Sequence, residues 1–124
     1  MRVVIIFRQD ALVVPALELD SRETGASVDF LGIVRELEGD QRLKGLWYEA
    51  YEPMAQRLLE RMFSEVNELY PAYNVYFVHR IGWVPVGEAS LLIRVQTAHR
   101  GEAFGFLSEA ITRMKRDVPI WKRA

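Results

Sequence analysis

The feature that most constrains the fold is a pair of helical patterns set among short β-branched runs. Apolar residues recur at helical spacing from Met54 to Leu69, after a proline at position 53 that suits a first helical turn. A second amphipathic helix is predicted over residues 101–117, and Pro119 stops it. Runs of β-branched and aromatic residues predict strands at residues 3–7, 26–34, 43–51, 74–79 and 90–98. This order of elements predicts an α/β (α+β) fold with two main helices.

The segments between these elements carry weaker patterns. Pro15 predicts a short helix that begins there, and the charged run Glu36–Arg42 predicts an exposed, mobile loop. Gly32, inside the second strand, indicates a bulge or a close backbone approach. Residues 85–87 read as a turn, and Ile120–Trp121 as a short extended segment after the last helix.

Length and charge limit the class of protein. The 124 residues predict one domain, residues 1–124, with a genuine hydrophobic core. Sixteen cations against seventeen anions leave a formal charge of -1, which argues against a general nucleic-acid binder. The chain also lacks the aromatic pattern of an RNA-recognition domain and the glycine-rich turn of a nucleotide-binding fold. Any anion site must therefore come from local clustering of cations.

Several kinds of chemistry find no support in the residue types. There are no cysteines, which excludes disulfides, thiolate metal sites and a cysteine nucleophile. The two histidines lie in separate segments without an acidic cluster, so we expect no metal site and no resident cofactor. The short apolar run near the N-terminus fits neither a signal peptide nor a membrane span, and a cytoplasmic protein is expected.

The strongest local clustering lies in residues 112–123, where cations alternate with apolar residues. Lys115 and Lys122 are held seven residues apart, and Trp121 lies beside the second lysine. One interpretation is that neighbouring cations and partial burial make an amine available for proton transfer or for attack on a carbonyl. The alternative is a pair of solvated surface lysines, the first favoured by the dipole of the helix C-terminus. The residues alone leave both open.

Upstream, His99–Arg100 lies where a strand ends and a helix begins, close to free backbone N–H groups. This placement is typical of a phosphate or carboxylate cradle. The alternative is that Arg100 pairs with Glu102 or Glu109 and that His99 caps a turn. Arg35 follows its own strand and could add a clamp. We predict that these residues converge with the two lysines, whereas the pair His79–Arg80 is assigned a structural role.

Five segments, taken together and in this order, resemble the large, catalytic subunit of molybdopterin synthase, the MoaE family. The resemblance covers residues 26–123, most of the chain, with the spacing of the segments preserved. The segments are Phe30–Arg35 (FLGIVR), Glu49–Met54 (EAYEPM), Val78–Gly82 (VHRIG), Thr97–Arg100 (TAHR) and Lys115–Arg123, which ends in Trp-Lys-Arg.

The resemblance implies an α/β hammerhead fold with mixed and antiparallel sheets, and a central homodimer. Each subunit is expected to bind one ubiquitin-like sulfur carrier of the MoaD type, which gives a heterotetramer. The carrier's C-terminal Gly-Gly thiocarboxylate would deliver two sulfurs to cyclic pyranopterin monophosphate and form the dithiolene of molybdopterin. The resemblance thus implies a sulfurtransferase of molybdenum cofactor biosynthesis that needs no cysteine of its own.

By the same resemblance, the family's essential lysines match Lys115 and Lys122. The resemblance also implies substrate-binding positions at Val34, Arg35, His99, Arg100 and Arg123. The sequence departs from the family at Ile33, where many relatives carry lysine, and at Ala124, where many carry glutamate and a further tail. The rival interpretation is a non-catalytic relative that keeps the fold as an anion- or partner-binding module, against which the retention of both lysines argues.

Overall fold

The computed structural model describes residues 1–124 and contains nine strands and two helices. The strands are β1 (Arg2–Arg8), β2 (Ala26–Ile33), β3 (Leu37–Glu38), β4 (Gln41–Arg42), β5 (Gly45–Ala50), β6 (Asn74–Arg80), β7 (Gly82–Pro85), β8 (Ala89–Thr97) and β9 (Ile120–Arg123). The helices are α1 (Glu52–Leu69) and α2 (Arg100–Asp117). The predicted α+β class, with two helices and mixed and antiparallel sheets, is confirmed.

The larger sheet has four strands in the order β1-β6-β8-β2. β1 runs parallel to β6, and the other two pairings are antiparallel. The register of β2 against β8 shifts between Gly32 and Ile33, so the irregularity predicted at Gly32 is confirmed. This shift falls where β2 ends and the chain turns toward the second sheet.

Both helices cover one face of this sheet, because each carries its apolar residues on one side. Phe63 of α1 is fully buried and contacts Phe77 of β6 and Phe106 of α2, with ring centroids 5.9 and 6.0 Å away. Because Gly105 of α2 has no side chain, the ring of Tyr70 lies directly against that helix. The main core of 17 buried residues lies between the helices and the sheet.

The opposite face of the sheet is crossed by the segment that follows β1. Arg94 of β8 donates hydrogen bonds to the backbone carbonyls of Pro15 and Ala16, at 2.9 and 3.0 Å, and is also paired with Asp29. The short helix predicted from Pro15 is wrong, since residues 9–25 contain no helix. A helix this short is costly to nucleate. The carbonyls of its first turn accept hydrogen bonds from Arg94 instead of from helical N–H groups.

The smaller sheet has three antiparallel strands in the order β7-β5-β9. Leu46 and Val84 of this sheet form a second core together with Val34, which follows β2. The extended segment predicted at Ile120–Trp121 is confirmed as part of β9, whereas β7 was not predicted. The predicted loop 36–42 is a short hairpin of β3 and β4 that turns at Gly39, whose φ is 62°.

No helix of this structure has both the length and the apolar character that a membrane crossing requires.

Candidate active site

A cavity of about 770 Å³ opens where the two sheets meet beyond the C-terminal end of α2. The end of β2 forms one wall, and the inner face of β5 and β9 forms another. The hairpin β3–β4 reaches the rim through Glu38. The polar and charged side chains that line the cavity are Arg35, Glu38, Tyr48, His79, Ser90, Lys115 and Lys122. Three cations therefore face one concave space in a chain with almost no net charge.

Lys122 is directed into the cavity by the alternation of β9. It lies opposite Tyr48 of β5, and both side chains line the cavity. Its Nζ atom is 2.8 Å from a carboxylate oxygen of Glu38. The hydrogen bond and the charge of Lys122 lower the pKa of Glu38, with a smaller contribution from Arg35. The hairpin thus places one anion against the cationic site.

Lys115 reaches the same cavity from the last turn of α2, where the helix dipole favours a cation. It makes no ion pair within the chain, and its residue is exposed. Of the two interpretations left open by the sequence, the one with partly buried lysines is not supported for Lys115, and the side chain of Lys122 is 52% exposed. The amines are accessible charges at a cavity wall.

Arg35 and Val34 occupy the turn where the chain leaves β2. Arg35 is exposed, lines the cavity and makes no ion pair within the chain. Val34 is 3% exposed, and its backbone N–H and C=O are bonded to Glu88 and Gly87 at 3.0 and 2.9 Å. Val34 can consequently offer a ligand only an apolar surface, whereas Arg35 has free donors.

His99 and Arg100 lie at the opposite end of α2 from Lys115. Fifteen helical steps at about 1.5 Å each separate Arg100 from Lys115 by roughly 22 Å. The predicted convergence of His99 and Arg100 with the two lysines is therefore wrong within one chain. Nor does Arg100 pair with an acid of its own helix, since Glu102 contacts His99 at 3.2 Å and Glu109 contacts Arg113. Arg100 remains an exposed cation without an ion-pair partner in the chain.

Arg123 also lies away from the cavity, because successive residues of a strand point to opposite faces. It is opposite Trp47 on the outer face of the smaller sheet, with its guanidinium 5.7 Å from the centre of that ring. Its Nε is 3.6 Å from a carboxylate oxygen of Glu49. The expectation that Arg123 shares a site with Lys122 is not met within one chain.

Four of the polar and charged lining residues were not predicted from the sequence as members of the site: Glu38, Tyr48, His79 and Ser90. Glu38 was assigned to a mobile loop, and its contact with Lys122 joins segments that are distant in sequence. His79 was assigned a structural role together with Arg80. That role holds for Arg80, which bonds Glu88 and the carbonyl of Gln9, but His79 faces the cavity.

The side chains suit the binding of an anion and the stabilisation of negative charge. The structure has no group of three or more metal-ligating side chains. Two lysines and an arginine around one cavity can hold a phosphate or carboxylate and neutralise charge that develops during acyl or sulfur transfer. Fold and site together define an α+β protein with a lysine-lined anion cavity at the junction of two sheets.

Comparison with known proteins identifies the family of this chain. Residues 7–117 match the model of the family described as MoaE protein. The molybdopterin synthase catalytic subunit of Bacillus subtilis is 41% identical over 106 residues, which cover 86% of this chain and 68% of that protein. The chain belongs to the MoaE family, that of the molybdopterin synthase catalytic subunits, enzymes of molybdenum cofactor biosynthesis.

Solved structures agree with this assignment. The crystal structure of molybdopterin synthase from Staphylococcus aureus matches with a TM-score of 0.77 and 40% identity, over 82% of this chain and 74% of that one. A Helicobacter pylori protein, solved as a complex of subunits 1 and 2 of molybdopterin-converting factor, matches with a TM-score of 0.71 and 26% identity. The match covers 95% of this chain and 82% of that one.

Proposed function

We propose that this chain transfers sulfur from the C-terminal thiocarboxylate of a MoaD-type carrier to cyclic pyranopterin monophosphate, forming the dithiolene of molybdopterin. The observation that carries the proposal is the single cavity that Lys115, Lys122 and Arg35 line together. The substrate has a phosphate and the carrier tail ends in an anion, so both reactants need cations. The protein needs no cysteine, since the sulfur arrives on the carrier.

The two lysines take different positions in this proposal. Lys115 lies at the helix C-terminus without an ion-pair partner, and we assign it to the thiocarboxylate, where it assists acyl chemistry or proton transfer. Lys122 and Arg35 lie on other walls of the cavity, and we assign them to the phosphate and to charge that develops on the pterin. The ion pair of Lys122 with Glu38 has to open for this role, because the substrate anion replaces the carboxylate.

A second copy of the chain is part of the proposal. His99 and Arg100 match substrate-binding positions of the family, yet lie roughly 22 Å from Lys115 along α2, by the rise of about 1.5 Å per residue. One bound phosphate cannot contact both ends of the helix in one chain. We therefore propose a homodimer in which His99 and Arg100 of one protomer reach the cavity of its partner. With one carrier bound to each protomer, the assembly is a heterotetramer.

Reconstitution tests the activity directly. The chain is mixed with a thiocarboxylated MoaD-type protein and cyclic pyranopterin monophosphate, and the dithiolene product is assayed. We expect a stable complex and product that depends on the thiocarboxylate. A complex without product would instead favour a non-catalytic partner-binding module. The absence of any complex would contradict both functions.

Mixed dimers test the contribution of the second copy. One chain carries Lys115→Ala and the other carries Arg100→Ala, so that a mixed dimer keeps one complete site only if the residues come from different protomers. We expect the mixture to recover a substantial part of the wild-type rate, while each variant alone is inactive. A mixed dimer as inactive as the separate variants would show that Arg100 does not complete the partner's site.

Domain organisation and cellular location are also part of the proposal. We propose that residues 1–124 form one domain, which predicts a single cooperative unfolding transition seen equally by fluorescence and circular dichroism. We also propose a cytoplasmic location, which fractionation of the producing cells tests.

A further inference from the structure

His79 is the one buried ionisable side chain on the cavity wall. It lies near the end of β6 and is 4% exposed. Its ring packs edge-on against Tyr48, with centroids 5.0 Å apart, and at 6.4 Å from Phe77. Aromatic contacts on two sides fix the plane of the imidazole. The ring is therefore a rigid part of the wall, unlike the lysines, whose long side chains are accessible.

The hydrogen bond of one ring nitrogen defines the state of the other. Nδ1 lies 2.8 Å from the carbonyl oxygen of Arg80, which can only accept, so Nδ1 carries the proton. Nε2 of the neutral ring consequently presents a lone pair. Nε2 has no hydrogen-bond partner within the chain. It is not fully enclosed either, since Oγ1 of Thr24 is the only fully enclosed side-chain N or O atom without a partner. His79 lines the cavity, and because Nδ1 is bonded to the backbone, Nε2 is the ring nitrogen left for a ligand there.

The charged groups around the cavity make this acceptor distinctive. Lys115, Lys122 and Arg35 contribute only donors, and the carboxylate of Glu38 is engaged by Lys122. Burial lowers the pKa of His79, which keeps the ring neutral among these cations. A ligand held by its anionic end in this cavity meets a fixed neutral acceptor on the β6 wall.

We propose that Nε2 of His79 accepts a hydrogen bond from an N–H group of the pterin ring, and so orients the ring while the cations hold the phosphate. This assignment rests on the proposed function for the identity of its ligand. His79 is thereby a substrate-binding and positioning residue, distinct from the groups that carry charge. A reduced pterin has ring N–H and amino donors on a ring that is separate from its phosphate, whereas inorganic phosphate has no such ring.

Two substitutions separate the acceptor from the volume of the ring. His79→Gln can keep an acceptor oxygen near the position of Nε2, whereas His79→Leu fills the space without one. Binding of cyclic pyranopterin monophosphate and, separately, of inorganic phosphate is measured by calorimetry on the wild type and both variants. We expect His79→Leu to weaken pterin binding about tenfold, which corresponds to about 1.4 kcal/mol and lies within the range for one hydrogen bond. Phosphate affinity should stay within about twofold, and His79→Gln should recover most of the loss.

Turnover supplies a second readout. With the carrier present, His79→Leu should raise KM for the pterin more than it lowers kcat, because the lost contact is made in the ground state as well. Wild-type pterin affinity in His79→Leu overturns the proposal. Equal losses for pterin and phosphate overturn it too, since they indicate a collapsed cavity rather than a lost acceptor.

Nitrogen-15 spectra of the wild type keep the proposal testable if a variant fails to fold. Addition of saturating pterin should shift the Nε2 resonance, and inorganic phosphate should not. A wild type that binds the pterin with no response at Nε2 overturns the assignment of His79 alone. A wild type that binds phosphate but not the pterin overturns the proposed function, and the assignment of His79 with it.

Discussion

Nζ of Lys122 and a carboxylate oxygen of Glu38 lie 2.8 Å apart, and this contact joins the last strand to the β3–β4 hairpin across the mouth of the cavity. Both side chains are partly exposed, at 52% and 41%, so the pair is accessible to water and to ions. A carboxylate therefore lies where we propose that an anionic ligand binds. We expect the hairpin to compete with that ligand for Lys122.

Removal of that carboxylate should strengthen anion binding. In Glu38→Gln the side chain keeps its size but loses its charge, and Lys122 no longer has an ion-pair partner. An exposed ion pair contributes about 0.2–1 kcal/mol, so we expect inorganic phosphate or the pterin substrate to bind about threefold tighter. The gain should shrink with added salt, since the interaction is screened. Calorimetric titration at two ionic strengths measures both effects.

Glu36→Gln is the matched control for this prediction. Glu36 precedes the same hairpin and pairs with Arg42 at 3.4 Å, so its substitution changes the net charge equally without touching Lys122. Equal affinities in Glu36→Gln and Glu38→Gln would attribute the gain to overall charge and contradict a specific competition at Lys122.

Lys115→Ala should abolish dithiolene formation while leaving the carrier bound. Loss of a positioned charge at the reacting centre costs on the order of a hundredfold or more in rate, because that charge acts in the transition state. The measurement is single-turnover product formation, together with carrier affinity. Arg116→Ala is the control, since Arg116 lies at the same helix end but is paired with Asp117 at 2.8 Å and does not line the cavity. Near-normal turnover in Lys115→Ala would remove this residue from the mechanism.

The elements predicted well from the sequence are those whose residues carry their own periodicity. The apolar spacing of α1, from Met54 to Leu69, needs no distant partner to indicate a helix. The sequence of residues 36–42 predicts a loop and not the hairpin of β3 and β4, because strands of two residues carry no periodic pattern. The segment after Pro15 was mispredicted because the partner of its carbonyls, Arg94, lies far along the chain.

The same distinction separates the predicted part of the site from the rest. Lys115 lies in α2, Lys122 in β9 and Arg35 shortly after β2, and the structure places all three on one cavity. The length of α2 already separates His99 from Lys115, so their convergence in one chain contradicts the helix that was itself predicted. Glu38 could not be identified in advance, because its role comes from a contact between distant segments.

Gly105→Ala should destabilise the protein even though alanine is the better helix former. A Cβ at Gly105 would overlap the ring of Tyr70, which packs against α2 at that point. The displaced ring should cost about 1–3 kcal/mol, against a gain of roughly 1 kcal/mol in helix propensity. We therefore expect a net loss of about 1 kcal/mol in the free energy of unfolding, measured by urea denaturation.

Gly101→Ala, in the same helix, is the control for that prediction. Apart from its chain neighbours and the backbone of its own helix, a Cβ added at Gly101 would meet no heavy atom within 4 Å. Only the propensity term remains, so this variant should be more stable by about 0.5 kcal/mol. If both variants shifted the free energy in the same direction, the contact with Tyr70 would not be the cause.

Burial of His79 should make the stability of the protein depend on pH. Burial lowers the pKa of His79 in the folded state below its ordinary value of 6.5. Between those two values the unfolded chain binds more protons than the folded one, so the free energy of unfolding falls as the pH decreases below about 6.5. The slope from this group reaches at most about 1.4 kcal/mol per pH unit, and it vanishes once the folded state is protonated as well.

Urea unfolding of the wild type and His79→Gln, between pH 7.5 and 5.5, isolates this contribution. Other groups titrate in both proteins, so the difference between the two free energies reports on His79. We expect the wild type to lose more stability than His79→Gln as the pH falls. Parallel curves for the wild type and His79→Gln would mean that the imidazole of His79 takes up a proton in the folded state as readily as in the unfolded chain. In that case His79 would not be held neutral against the cavity.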